Sequence, residues 1–422
     1  MSRTTLALIV SSLLLGGASI SRAQSVRGGI IPTQTARRQG LERAWVAQVE
    51  IDRSRGRVAY VNLHDGLLLV QTDQAALNVL DAETRRTLWV AHMGRPGQPS
   101  SKPTASDKFV AATNGSRLYL FERATGRALW ERHMSSVPSA GPALGADRVY
   151  VPLVTGIVAS YRLPAPNDEE TPLEKMFKDT ALNYQGKGMS DASPIVTPNG
   201  VLFGTSGGNV YMCGLDEMRA LWRFKTHEAI SAPLFYRPPL VLAASRDGYV
   251  YALREMRGDA RWQFSAGNPV SESPVAIGDA VFAISETGGM FRLNAQTGEQ
   301  EWYAPGIFKF LSASPTKLYT ADASGRLLIL DARSGARLGM LPTEYLPLKV
   351  FNAETDRIYL GTTSGMFQCL REQELVEPFI HGQAVKAAEG EGGEASEEKE
   401  TTETPEKPAA DPNDPFAAPA AN

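Results

Sequence analysis

Residues 245–262 read Ser-Arg-Asp-Gly-Tyr-Val-Tyr-Ala-Leu-Arg-Glu-Met-Arg-Gly-Asp-Ala-Arg-Trp. Residues 282–302 end in the same way, on Thr297-Gly298 and Trp302. In the first stretch Asp247-Gly248 leads into Tyr249-Val-Tyr-Ala-Leu253, and such Asp-Gly and Asn-Gly pairs between apolar runs mark tight β-hairpins. Asn114-Gly115 before Arg117-Leu-Tyr-Leu120 and Ser324-Gly325 before Arg326-Leu-Leu-Ile-Leu330 repeat the pattern.

The tryptophans set the period. Trp45, Trp89, Trp130, Trp222, Trp262 and Trp302 are spaced by 44, 41, 92, 40 and 40 residues. The interval of 92 is two repeats with one marker lost. Gly126 and Gly298 stand four residues before their tryptophans, each after a threonine. Gly40 stands five before Trp45, so that copy is stretched, and Arg85 replaces the glycine ahead of Trp89. Gly335 opens a further copy in which Gly339 occupies the tryptophan position. A glycine here implies a turn with positive φ. Asp81, Asn294 and Asp331, three before the Thr or Ser, are suited to cap that turn. Upstream, Ser193-Pro194, Ser231-Ala-Pro233, Ser271-Glu-Ser-Pro274 and Ser312-Ala-Ser-Pro315 begin their units.

Each unit of about 40 residues thus holds four short strands, the content of one propeller blade. The fold expected is an all-β, eight-bladed propeller over residues 39–381, with seven blades as the fallback if the unit near 140–190 fails. The segment around Leu41–Gln48 has a tryptophan end without a blade before it, and Leu348–Leu370 has three strands without that end. The N-terminal strand therefore closes the ring as the outer strand of the last blade, which also removes free sheet edges.

The lost marker coincides with an insertion, assigned to residues 164–190. Thr171-Pro-Leu-Glu174 reads as a capping box, and Leu173, Met176 and Phe177 share one helical face, so a short helix is expected over 172–181. That face is the candidate partner-binding element. Cys213 and Cys369, the two cysteines, each follow an aromatic residue by two. That spacing puts them at one repeat position in blades four and eight, too far apart to bridge, so two free thiols are expected.

The ends read differently. Leu6 to Leu15 is apolar apart from Ser11 and Ser12, follows Arg3, and is succeeded by Ser21-Arg22-Ala23. This is the pattern of a signal peptide, residues 1–23, cleaved before Gln24. No cysteine follows it, so lipoprotein processing is not expected, and no other segment is long enough to cross a membrane. Residues 24–38 read as an irregular lead-in. Residues 382–422 carry ten acidic residues and three lysines and read as a disordered acidic tail. The protein is expected to be exported to the periplasm or cell envelope.

Chemistry is sparse. The formal net charge of -3 implies no nucleic-acid partner. His92-Met93 and His133-Met134 follow their tryptophans by three and four residues, and are the candidate metal ligands, of a type suited to copper. Equivalent residues also arise by repeat duplication without any ligand. No catalytic residue and no cofactor-binding residue is assigned.

Residues 245–262 and 282–302 resemble the pyrroloquinoline-quinone (PQQ) repeat, and the resemblance extends over about residues 39–375. That family includes quinoprotein dehydrogenases and non-catalytic relatives such as the BamB-type outer-membrane assembly factors, which are typically lipoproteins. The dehydrogenases use PQQ with calcium or a lanthanide, a catalytic aspartate and commonly a vicinal disulfide. This chain has no adjacent cysteines and no dense acidic loop in the repeats. The resemblance therefore implies a non-enzymatic scaffold for a protein partner, with a PQQ-dependent oxidoreductase or a secreted or cell-surface ligand-binding propeller as alternatives; a monomer is expected, although the sequence does not fix the oligomeric state.

Overall fold

The computed structural model describes residues 29–164, 182–217 and 219–381. The expected signal peptide 1–23, the helix expected over 172–181 with Leu173, Met176 and Phe177, and the tail 382–422 lie outside the described residues. Eight four-stranded antiparallel sheets make up the fold, with one short helix, Thr33–Arg37, among the described residues. It is an eight-bladed propeller. In blade order the sheets span residues 58–92, 104–133, 143–185, 195–225, 235–265, 275–305 and 309–341, with blade eight formed by 348–372 and the N-terminal strand Leu41–Gln48.

Buried apolar side chains fall into eight clusters, one between each pair of neighbouring blades. The core is thus a ring of interfaces. The two middle strands of a blade are covered on both faces and read as unbroken apolar runs, such as Leu67–Thr72, buried at every position. Outer strands alternate, as in Ala260–Ser265 with Trp262 buried.

The tryptophan and the glycine turn are two halves of one contact. Five of the six tryptophans cross to the next blade, where the indole N–H donates to a carbonyl in the turn between the third and fourth strands. Trp45 reaches Ala82 at 3.0 Å, Trp89 reaches Arg123 at 2.7 Å, and Trp222 reaches Glu255 at 2.6 Å. Trp262 reaches Ala295 at 3.0 Å and Trp302 reaches Ala332 at 3.3 Å. The turn glycine lies under the indole. Gly258 has φ of 70°, and a Cβ there would overlap the Trp222 ring; Gly298 stands likewise against Trp262. Where Arg85 replaces glycine it still adopts φ of 63°. The capping residues act as expected: Asp81 Oδ1 accepts from the Thr84 amide and hydroxyl, both at 2.7 Å, and Asp331 Oδ1 accepts from Ser334 N at 2.8 Å.

Three interfaces depart from this latch. Blade three leaves the repeat pattern after Leu163, and the link to its last strand lies outside the described residues; the Trp130 indole N–H is buried and has no partner among the described residues. Blade three also has Leu182, in place of tryptophan, opposite Ser160. Tyr150 supplies the substitute, its hydroxyl donating to Leu215 O at 3.2 Å. Between blades seven and eight the marker is Gly339, and Gln39 fills the space, its side chain accepting from Met340 N at 3.2 Å. A tryptophan at 339 would collide with the N-terminal segment that closes the ring.

That closure is wider than the sequence implied. Leu41–Gln48 pairs antiparallel with Met366–Glu372, from Leu41 opposite Glu372 to Gln48 opposite Met366. Residues 24–38 were read as an irregular lead-in, yet Thr33–Arg37 is helical and Ile31 and Ala36 are buried between blades seven and eight. Their apolar surface has a slot because the tryptophan there is absent. The insertion assigned to 164–190 is also shorter. Leu182–Gln185 is the outer strand of blade three, so the blade resumes as soon as its chain can pair with Ile157–Arg162.

Blade eight is tied to blade one and to residues 373–381 by a buried cation. The Arg357 side chain is fully buried. Its guanidinium donates to Glu83 at 2.9 Å, Asp356 at 3.1 Å, and the carbonyls of Leu375 at 3.1 Å and Val376 at 2.6 Å. Asp356 Oδ1 also accepts from Phe379 N at 2.8 Å. Burial pushes the Asp356 carboxyl up, with Arg357 pulling against it.

Both cysteines are free and buried. They are not at one repeat position, however. Met212, next to Cys213, pairs with Trp222, whereas Cys369 itself pairs with Trp45. The one-residue offset turns the side chains to opposite faces of their blades. Cys213 packs toward blade three with Tyr150, and Cys369 toward blade one with Leu68 and Leu80. Counting from the nearest aromatic hid this. Burial holds the Cys213 thiol up at about 12 and also raises Cys369. A thiol reagent at pH 8 is therefore expected to titrate no cysteine in the folded ring and both after denaturation; rapid labelling of either in native protein would contradict this burial.

Candidate partner-binding face

Four loops that leave the innermost strands, from blades one to four, converge on one side of the ring axis. They carry His64-Asp65, Ser106-Asp107-Lys108, Gly145-Ala146-Asp147 and Thr197-Pro198. With Leu215 and Asp216 from a turn of blade four they line an open cleft of about 910 Å³. The loops are held locally. Ser106 N donates to Phe109 O at 2.8 Å and Gly145 N to Arg148 O at 2.8 Å. Phe109 N donates to Ser106 Oγ at 3.2 Å.

The floor is apolar, from Ala105, Leu144 and Val196, with Tyr150 beneath. Asp107, Lys108, Asp147 and Asp216 are exposed on the rim. Asp65 is paired with Arg123. Burial pushes the Tyr150 phenol up to about 12, with Arg148 opposing and Asp216 and Asp147 adding to the rise. Tyr150 is thus a neutral hydroxyl near pH 7. The cleft offers apolar contact ringed by hydrogen-bonding and charged groups, which suits recognition of a polypeptide surface. Blade three's insertion begins beside it, where Leu163 N donates to Asp147 O at 2.7 Å.

The candidate metal ligands are not brought together. Met93 and Met134 are buried in two different inter-blade clusters, while His92 and His133 are exposed at strand ends. His133 Nε2 lies 3.3 Å from Ser116 Oγ. Among the described residues no three or more His, Cys, Asp or Glu side chains are grouped to hold a metal ion. No helix among them is long and apolar enough to cross a membrane. The cleft residues carried no signal in the sequence, because each loop is short and ordinary and they meet only around the axis.

The family model for the outer membrane protein assembly factor BamB matches residues 24–165 and 206–350. The chain is 26% identical over 286 residues to the outer membrane protein assembly factor BamB of Burkholderia pseudomallei, covering 63% of this chain and 60% of that protein. It is 23% identical over 164 residues to BamB of Shewanella oneidensis, covering 35% of this chain and 42% of that protein. The matches therefore span 60% or less of these relatives' lengths. Among solved structures, BamB from Moraxella catarrhalis superposes with a TM-score of 0.60 at 16% identity, covering 78% of this chain and 100% of that one. The computationally designed protein Ika8 gives 0.58 at 14% identity, over 76% of this chain and 98% of that one. At these identities the structures show a shared fold. The family match, over more than half of the chain and across repeats on both sides of the insertion, makes this protein a member of the BamB family of propellers.

Proposed function

We propose that this protein is a non-catalytic, exported scaffold of the cell envelope that docks a protein partner in outer-membrane protein assembly. The observation that carries the reading is the family match over residues 24–165 and 206–350. The cleft of blades one to four is the docking surface: a rigid ring presents its loops with little ordering cost, and binding energy is not spent on arranging them. The signal-peptide pattern at residues 1–23 supports export, and the apolar floor under a polar rim supports a polypeptide partner.

The test is crosslinking in the native envelope from a photoreactive residue at Asp107. Recovery of the barrel-assembly machinery is the expected result, and its reproducible absence would overturn the reading. The pair Asp147→Arg and Asp216→Arg is expected to reduce that capture by about tenfold, since reversed rim charges oppose docking. Both side chains are exposed, so the melting temperature should stay unchanged. Undiminished capture by the double variant would move the docking surface elsewhere on the ring.

A further inference from the structure

The opposite ends of the innermost strands, where the chain enters each blade, carry an unusual set of cations. The strand registers give the equivalences. Tyr60 lies two residues before Asn62, which pairs with Leu69 in blade one. Lys102 lies two before Thr104, which pairs with Ala111 in blade two. Leu69 and Ala111 are themselves equivalent, each leading through one strand to a tryptophan, Trp89 and Trp130. In blade seven Lys309 pairs with Ala321, as Tyr60 pairs with Gln71. Tyr60, Lys102 and Lys309 therefore occupy one position on one circle around the axis. Blades three, four and six have Gly141, Ser193 and Ser273 there.

Lys102 lies within electrostatic reach of Lys309. Lys102 is open to solvent, yet its ammonium is held below the usual lysine range by the surrounding walls and by the charge of Lys309. Lys349, one position further along blade eight, is buried and lowered to about 8, first by burial and next by Lys309. Its Nζ is already used, donating to Leu346 O at 2.7 Å and Thr343 O at 3.2 Å. Burial pushes the Glu272 carboxyl of blade six up, and the charge of Lys309 opposes that rise. Among the described residues neither Lys102 nor Lys309 forms an ion pair. Tyr60, at the equivalent position of blade one, is 40% exposed.

We propose that Lys102 and Lys309, with Tyr60 between them on the ring, form an axial anion site for a small molecule bearing two or more phosphate or carboxylate groups. Two ammonium groups at equivalent positions around one axis gain from a shared counter-charge what they lose by mutual repulsion. A multivalent anion can meet both at once, and Tyr60 adds a donor. The site lies at the other end of the innermost strands from the cleft and is independent of the partner-binding reading.

Calorimetric titration of the full-length exported protein with pyrophosphate and, separately, citrate tests this. Saturable one-to-one binding of at least one probe is expected, weakened about tenfold by Lys102→Gln or by Lys309→Gln and unaffected by Lys108→Gln in the cleft. Circular dichroism melting would verify that the variants fold. No heat above dilution with either probe, or binding equally strong in the Lys102→Gln, Lys309→Gln double variant, would overturn the proposal. A preference for pyrophosphate assigns the site to phosphate esters, and a preference for citrate to polycarboxylates.

Discussion

Arg357→Ala is expected to lower the stability of the ring by about 3–5 kcal/mol, read as a fall in the denaturation midpoint. The guanidinium is fully buried and so is the Asp356 carboxylate. Removing the cation strands that carboxylate in the interior, and the carbonyls of Leu375 and Val376 lose their donor. Glu83 is 44% exposed and can turn to water, so it adds little to the cost. Lysine should rescue only in part, because a compact ammonium cannot reproduce a planar fork that reaches Glu83, Asp356 and two carbonyls together. The double variant Arg357→Met, Asp356→Asn should recover part of the loss by removing the stranded charge. Limited proteolysis within residues 373–381 should accelerate in Arg357→Ala, since that segment is tied down by these bonds. A variant as stable as the parent would show that the buried cluster contributes nothing to closure.

The second large effect concerns the latch. Trp262→Ala should cost about 3–5 kcal/mol, from lost burial and the cavity left between blades five and six. The informative comparison is with phenylalanine. Trp262→Phe keeps most of the ring but leaves Ala295 O without its donor, at a cost of about 1–2 kcal/mol. Trp130→Phe removes an indole N–H that is buried and unpartnered among the described residues, so it should be neutral or stabilising. Thermal melting of the two single variants would show the difference. Equal losses at both sites would mean that the indole hydrogen bond is not what joins the blades.

The repeat was legible because the latch is nearly local in sequence. From Trp262 to Ala295, or from Trp222 to Glu255, the separation is 33 residues, less than one unit. A latched tryptophan therefore needs a tight positive-φ turn in the following unit, most often at a glycine, and both appear in the chain at near-fixed intervals. The lost markers were visible as gaps, but their causes were not. Gly339 is explained by Gln39, some 300 residues away in sequence, and Tyr150 serves blade three from a different strand than the missing tryptophan. The cysteine offset shows the same limit: an aromatic two residues upstream does not fix strand register, which the partner strand decides.

The sequence by itself determined the four-strand unit and closure by the N-terminal strand, and it favoured eight blades over seven, a count that the eight sheets decide. Those features follow from alternation, turn chemistry and spacing, which act over tens of residues. Only the tertiary structure decided how residues 29–38 fill the gap between blades seven and eight, where Arg357 anchors the final segment, and which loops form the cleft. It also decided that Tyr60, Lys102 and Lys309 share one circle at the axis. The physical reason is common to all four. Ring closure brings together residues from blades far apart in the chain, and their contacts depend on register and direction around an axis that no local pattern encodes.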